Sequence, residues 1–149
     1  MDLDNFNLEE YSPLNIGHKT VIIKLYNDIN SRKYLGDLEY AISSINQRKE
    51  SDYLHNYAYI AYYNERPIGY ISLAHKEKTY EVTYGIIPEE RGYHLGSLLL
   101  QEFTEKVFEE IKDIDKLTLI INHLNTGSIN TAKLAGYNQE EKNRFTKRR

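Results

Sequence analysis

The order of its elements makes this chain an α/β domain, with α+β pairing among its strands. Three observations carry that prediction: a hairpin of aromatic-rich strands, a strand that runs through a proline into a glycine loop, and a long amphipathic helix leading to a short apolar strand. A first strand is expected around Phe6–Tyr11. Ile22, Leu25, Tyr26 and Ile29 then recur at helical spacing, and Leu38, Ala41, Ile42 and Ile45 repeat the pattern behind a candidate cap at Asp37. Tyr57–Tyr63 and Ile68–Ala74 flank the polar turn Asn64–Pro67 and are rich in the aromatic and β-branched residues that suit a pleated surface. They predict strands two and three as an antiparallel hairpin. A second turn around His75–Lys78 leads to strand four, in which Val82, Tyr84 and Ile86 alternate with Glu81, Thr83 and Gly85 before Pro88 ends it.

The helix after the glycine loop sets Leu99, Phe103 and Val107 on one stripe with Leu100 and Ile111 beside it, leaving Glu102, Glu105, Glu109 and Glu110 to water. Leu117–Ile121 reads as a strand covered on both faces, and the strand–helix–strand order makes it parallel to strand four through a right-handed crossover. A short helix from about Ser128 to Ala135 follows, capped by Asn125 or Ser128 and stopped by Gly136, and a last strand runs from Tyr137. No repeat or linker divides residues 1–149, so one domain is expected.

Composition narrows the chemistry. The chain has no cysteine, which excludes disulfides, thiolate nucleophiles and zinc–thiolate sites, and its five histidines show no metal-ligand spacing. No metal is therefore expected. No apolar run reaches the roughly 18 residues of a membrane span, and the acidic start MDLDNFNLEE lacks the basic and apolar stretches of a signal peptide, which points to the cytoplasm and to no membrane partner. A formal net charge of −3 argues against a nucleic-acid-binding surface, although Lys142, Arg144, Lys147, Arg148 and Arg149 crowd the C-terminal end as a solvated tail or a basic patch. With 14 tyrosines and no tryptophan, core and cleft must be built largely from Tyr, Ile and Leu, and each buried phenol needs a partner for its hydroxyl.

The most informative segment is Pro88–Phe103. The first N–H groups of a helix have no partner inside it and carry the positive end of its dipole, so a loop that lets a ligand approach them binds anions. Gly92 and Gly96 permit that approach, and Arg91 can add a charge-assisted bond to a phosphate. The same residues also suit an ordinary strand-to-helix turn.

This order of elements resembles the GNAT superfamily of N-acetyltransferases over nearly the whole chain. Two segments carry the resemblance. In the family's acetyl-CoA loop, Arg or Gln is followed after two residues by Gly and, after one more residue, by Gly or Ala. Arg91 and Gly96 match the outer positions, and His94 stands where the middle glycine is expected. Asn125, Ser128, Ala135, Gly136 and Tyr137 resemble the signature of the Rim-type branch, which acetylates ribosomal-protein N-termini, as do Tyr34-Leu35-Gly36 and ERPIGYISL.

The resemblance implies a mixed, mostly antiparallel sheet of about six strands with flanking helices, in which strands four and five lie parallel and splay apart. The pantetheine arm of acetyl-CoA would pair with backbone near Ile86 and Ile87, and the pyrophosphate would lie on the amides of Gly92, Tyr93, His94, Leu95, Gly96 and Ser97, with Arg91 and Asn125 beside them. His tolerates the left-handed backbone region better than most residues, so the loop is expected to survive His94. Its ring would point outward, or, protonated, lend charge to a phosphate.

Transfer to an amine needs a neutral nucleophile, a stabilised oxyanion and a proton for the departing thiolate. The family's usual tyrosine acid falls at Ala132. Ser128 substitutes for it by resemblance, serves as a helix cap, or does both. Glu81 is the candidate base, or a solvated strand carboxylate. Tyr84 lines the cleft or packs, and a lone His123 is expected to be structural. The reading is an acetyl-CoA-dependent transferase acting on a protein N-terminal or small-molecule amine, as a monomer or a homodimer. The alternative is an acyl-CoA-binding module with weak catalysis.

Overall fold

The computed structural model describes residues 5–28 and 57–149. Strands β1 (Phe6–Glu10), β2 (Tyr57–Tyr63), β3 (Arg66–Lys76) and β4 (Thr79–Ile86) come first, with helix α1 (Ile16–Asn27) between β1 and β2. A short 3₁₀ turn at Pro88–Glu90 leads to α2 (Leu95–Glu110), then β5 (Lys116–Ile120), α3 (Thr126–Leu134), β6 (Asn138–Glu141) and β7 (Arg144–Arg148). The helix expected behind Asp37 and the segment Tyr34–Gly36 lie outside the described residues.

The strands form one seven-stranded sheet in the order β1-β2-β3-β4-β5-β7-β6. Every neighbouring pair is antiparallel except β4 and β5, which run parallel as a strand–helix–strand unit requires. Asn64 and Glu65 both have positive φ, so a two-residue turn closes the β2–β3 hairpin, tighter than the four-residue turn expected, and Pro67 is absorbed into β3 beside an irregularity in β2 at Ala61/Tyr62.

Alternation along β4 sends Val82, Tyr84 and Ile86 to the face covered by α2, where they share a core with Leu99, Leu100, Phe103, Val107, Leu117, Leu119 and Phe145. The stripe expected on α2 is the stripe that is buried. The opposite face carries α1, started by the Asn15 side chain accepting from the His18 N–H, with Val21, Ile22 and Leu25 packed on Ala58, Ile60 and Tyr70. Truncating a core aromatic such as Phe103 to alanine costs about 3–5 kcal/mol.

The C-terminal segment corrects two expectations. Instead of a single last strand, a β6–β7 hairpin completes the sheet, and instead of a solvated tail the basic residues build β7. The cause is pairing rather than propensity: Phe145 sits opposite Leu119 and Thr146 opposite Thr118, so the unpaired edge of β5 recruits a polar segment through two buried residues. Arg149 donates to the carbonyls of Phe108, Ile111, Lys112 and Ile114, satisfying acceptors that the C-terminal end of α2 leaves open. Among the described residues no helix is long and apolar enough to cross a membrane.

Candidate active site

β4 and β5 meet at a single register pair, Glu81 opposite Thr118. Beyond it the strands part, because β4 runs on in register with β3 to Ile86, while the chain leaves β5 at Ile120 and turns into α3. The result is a wedge in the sheet, as the resemblance implied. A cleft of about 570 Å³ opens at its mouth, walled by β4, the loop and first turn of α2, and the first turn of α3. A smaller hollow of about 70 Å³ lies in the wedge itself, between β4 and β5. Tyr84, Asn125 and Ser128 border both.

The loop owes its shape to two residues in the left-handed region, Gly92 at φ 89° and His94 at φ 60°. His94 is the N-cap of α2 but makes no capping bond from its side chain, and its ring is exposed. The first intrahelical bond runs from the Leu98 N–H to the His94 carbonyl at 3.3 Å, so the N–H groups of Leu95, Gly96 and Ser97 have no acceptor within the helix. Gly96 suits close packing: a Cβ there would stand 3.3 Å from the Thr131 methyl of α3, a tight contact, and 3.7 Å from Ile86.

The expected phosphate residues divide. Gly92, His94, Leu95 and Gly96 line the cleft, as do Arg91, Asn125 and Ile86. Tyr93 projects into solvent, and the Ser97 hydroxyl turns back to the His94 carbonyl at 3.0 Å. Arg91 has local partners: its Nε donates to the Ile86 carbonyl at 2.9 Å and its Nη1 meets Asp28 at 3.0 Å, so it staples the loop to the end of β4 and to the residue that ends α1. Arg66 and Glu90 make a second tie between loop and sheet at 3.0 Å.

The pantetheine expectation needs a correction at Ile87. Its N–H is already donated to the Ile68 carbonyl at 2.9 Å, because alternation points the backbone of residue 87 toward β3. By the same alternation the groups of Tyr84 and Ile86 turn into the gap, with the Ile86 carbonyl held by Arg91.

On the other wall, the α3 cap is Asn125, whose Oδ1 accepts from the Ser128 N–H at 3.3 Å, and Gly136 at φ 89° ends the helix as expected. Ser128 is therefore not the cap. Its hydroxyl meets the Tyr84 hydroxyl at 2.9 Å. Tyr84 is largely enclosed, and that desolvation raises its pKa above the ordinary value, while the hydroxyls of Ser128 and Thr131 oppose the shift. Behind it, Tyr137 bonds Thr104 at 2.7 Å and burial pushes its pKa up as well.

Glu81 stands apart. It lies at the closed end of the wedge, on the face opposite Tyr84, with Thr79 at 3.5 Å and Lys76 at 3.9 Å, and it borders neither hollow. His123 is exposed and outside both. Sequence reasoning did not foresee Thr131 in the cleft, although its place three residues after Ser128 puts both on one helix face.

A sheet opened between two parallel strands, with helix amides at the mouth and hydroxyls at the apex, is a cleft suited to an extended ligand with an anionic end. The sequence makes the assignment specific: the model of the acetyltransferase (GNAT) family matches residues 22–137, and the chain belongs to that family. Among solved structures, an aminoglycoside acetyltransferase, AAC(6')-Ib, in complex with paromomycin and acetyl-CoA is similar at 17% identity and a TM-score of 0.73, covering 98% of this chain and 94% of that one. The N-acetyltransferase PseH of Campylobacter jejuni is similar at 16% identity and a TM-score of 0.65, with 95% of each chain covered. A GNAT-family acetyltransferase of Bacillus anthracis gives 13% identity and a TM-score of 0.73 over 95% of this chain and 92% of that one. At these identities the likeness is one of fold, and the Rim-type branch gains no support from it. No protein of curated function matches the sequence.

Proposed function

We propose that the chain moves the acetyl group of acetyl-CoA to a primary amine by direct attack in a ternary complex. The observation that carries this reading is the wedge: the donor cleft and the smaller hollow share Tyr84, Asn125 and Ser128, so a thioester entering from one and an amine from the other meet beside two hydroxyls. In the proposed pose the pyrophosphate lies on the N–H groups of Leu95, Gly96 and Ser97, and the amide arm pairs with the β4 backbone turned into the gap at Tyr84 and Ile86. Ser128 gives its proton to the departing sulfur. Glu81 receives no role, since its carboxylate is engaged outside both hollows.

The acceptor is an amine of a protein N-terminus, following the Rim-type signature Asn125, Ser128, Gly136 and Tyr137, or of a small molecule. The small-molecule reading is favoured by the aminoglycoside complex among the structural relatives. Thermal melting with acetyl-CoA, against ATP as control, tests the donor: a ligand at about 100 times its Kd adds about 2.7 kcal/mol, a shift of several degrees at this size. No shift at millimolar acetyl-CoA overturns the reading. Thiol release with an alanine-initiated peptide or kanamycin then separates the two acceptor classes, and donor binding without release from a broad amine panel leaves a binding module.

A further inference from the structure

The phenol that many members of this family carry on their last helix is missing here, and the buried methyl of Ala132 takes its place. A phenol nevertheless reaches the junction of the two hollows from the opposite wall. Tyr84 comes from β4, and its hydroxyl meets Ser128 at 2.9 Å where the two hollows join. We infer that Tyr84 is the proton source behind Ser128, the two hydroxyls forming a relay that protonates the departing sulfur. This rests on the acetyl-CoA reading given above.

The chemistry orders the pair. A phenol is the stronger acid, so Tyr84 donates to the Ser128 oxygen and leaves the Ser128 proton directed at the cleft. Thr131, on the same face of α3, supplies a further hydroxyl to the phenol oxygen. The ionisable groups bordering the cleft besides Tyr84 are Glu90, Arg91 and His94, all on the loop, and α3 brings only hydroxyls to Tyr84. Tyr137 lies behind, its proton shared with Thr104. Tyr84 is thus enclosed among neutral donors, where it keeps its proton through the neutral range.

The step balances. The amine nitrogen attacks the thioester carbon, the C–N bond forms, and the C–S bond breaks with its electron pair going to sulfur. Sulfur takes the Ser128 proton as the Ser128 oxygen takes the Tyr84 proton, and the phenolate is restored by the proton that the new amide nitrogen sheds through water. Tyr84 does not touch the sulfur; it acts as a positioning residue for Ser128.

The test needs no acceptor. Bound CoA is titrated by its thiolate absorbance in the ultraviolet, with desulfo-CoA as the blank. A free alkyl thiol ionises near 8.5, and a hydroxyl aimed at the sulfur favours the thiolate, so the wild-type complex should titrate about one pH unit lower. Tyr84→Phe should remove most of that shift while holding CoA within about threefold of wild-type affinity, and Ser128→Ala should remove all of it. Site-specific 3-fluorotyrosine at residue 84, a stronger acid of nearly the same shape, should lower the thiol further. An unchanged thiol pKa in Tyr84→Phe, or no response to fluorination, overturns the relay. If Tyr84→Phe fails to fold, the fluorinated protein carries the test alone. Absence of CoA binding in the wild type overturns the donor reading, and the relay with it.

Discussion

Two helix N-termini face one cleft, and they are finished in opposite ways. The α3 end is closed by Asn125, whose side chain accepts the Ser128 N–H, whereas the α2 end has His94 in the left-handed region with no side-chain cap. Capping is worth about 1 kcal/mol, so leaving α2 open is a local loss of stability. The contrast separates two tasks. In the proposed pose the open end of α2 is completed by the donor's pyrophosphate, whereas α3 is completed by its own side chain, which holds Ser128 against Tyr84.

Substitutions on the two ends should therefore fail differently. The largest effect is expected from Ser128→Ala, which should lower turnover by about 10²–10⁴-fold, the range for losing a general acid, with little change in acetyl-CoA affinity. A fall in affinity alone would assign Ser128 to binding. Next comes Gly96→Asp, which sets a carboxylate among the open α2 amides and should weaken acetyl-CoA at least about 100-fold by calorimetry, since an anion there opposes the pyrophosphate. Gly96→Ala is its control: the Cβ meets Thr131 at 3.3 Å, so crowding alone should cost stability and only mildly affect affinity. If alanine matches aspartate, packing rather than charge decides the site.

Asn125→Ala should cost about 1 kcal/mol, a drop of about 2–4 °C in melting temperature, and a several-fold fall in turnover as Ser128 loses its anchor. An unchanged melt would show that α3 is held by packing alone. The smallest effect is expected at His94→Gly, where relief of left-handed strain and glycine's greater unfolded freedom nearly cancel, leaving a gain of at most about 1 kcal/mol and donor affinity within twofold. A large loss of affinity would give the His94 ring a direct role at the phosphates.

How much of this was legible in the sequence follows from how local each feature is. The hairpin, β4, the glycine loop and the α2 stripe are encoded by periodicity and turn residues within a few positions of each other, and they appear close to where they were expected. β6 and β7 were not legible as a hairpin, because the partner that creates them is the edge of β5 and only Phe145 and Thr146 are buried in them. In the site, the loop and Asn125–Ser128 could be read from spacing. The Tyr84–Ser128 contact joins residues 44 apart, and the Arg91–Asp28 pair residues 63 apart. Both depend on how helices settle on the sheet, which no local pattern records. Arg91 lines the cleft as expected, and its second task, fastening the loop to β4 and Asp28, was the part that spacing could not show.

The single pairing between β4 and β5 has a consequence for handling the protein. At Tyr84 and Ile86 the backbone turned into the gap, the Arg91-held Ile86 carbonyl aside, offers the same hydrogen-bonding groups as the rim of a sheet, here in its middle and beside the exposed side chains of Ile120 and Leu124. In the proposed pose an amide-bearing donor arm takes the place of the missing strand. On that reading the seam is adhesive while it stays open, and preparations without acetyl-CoA should scatter more light on concentration than those saturated with it.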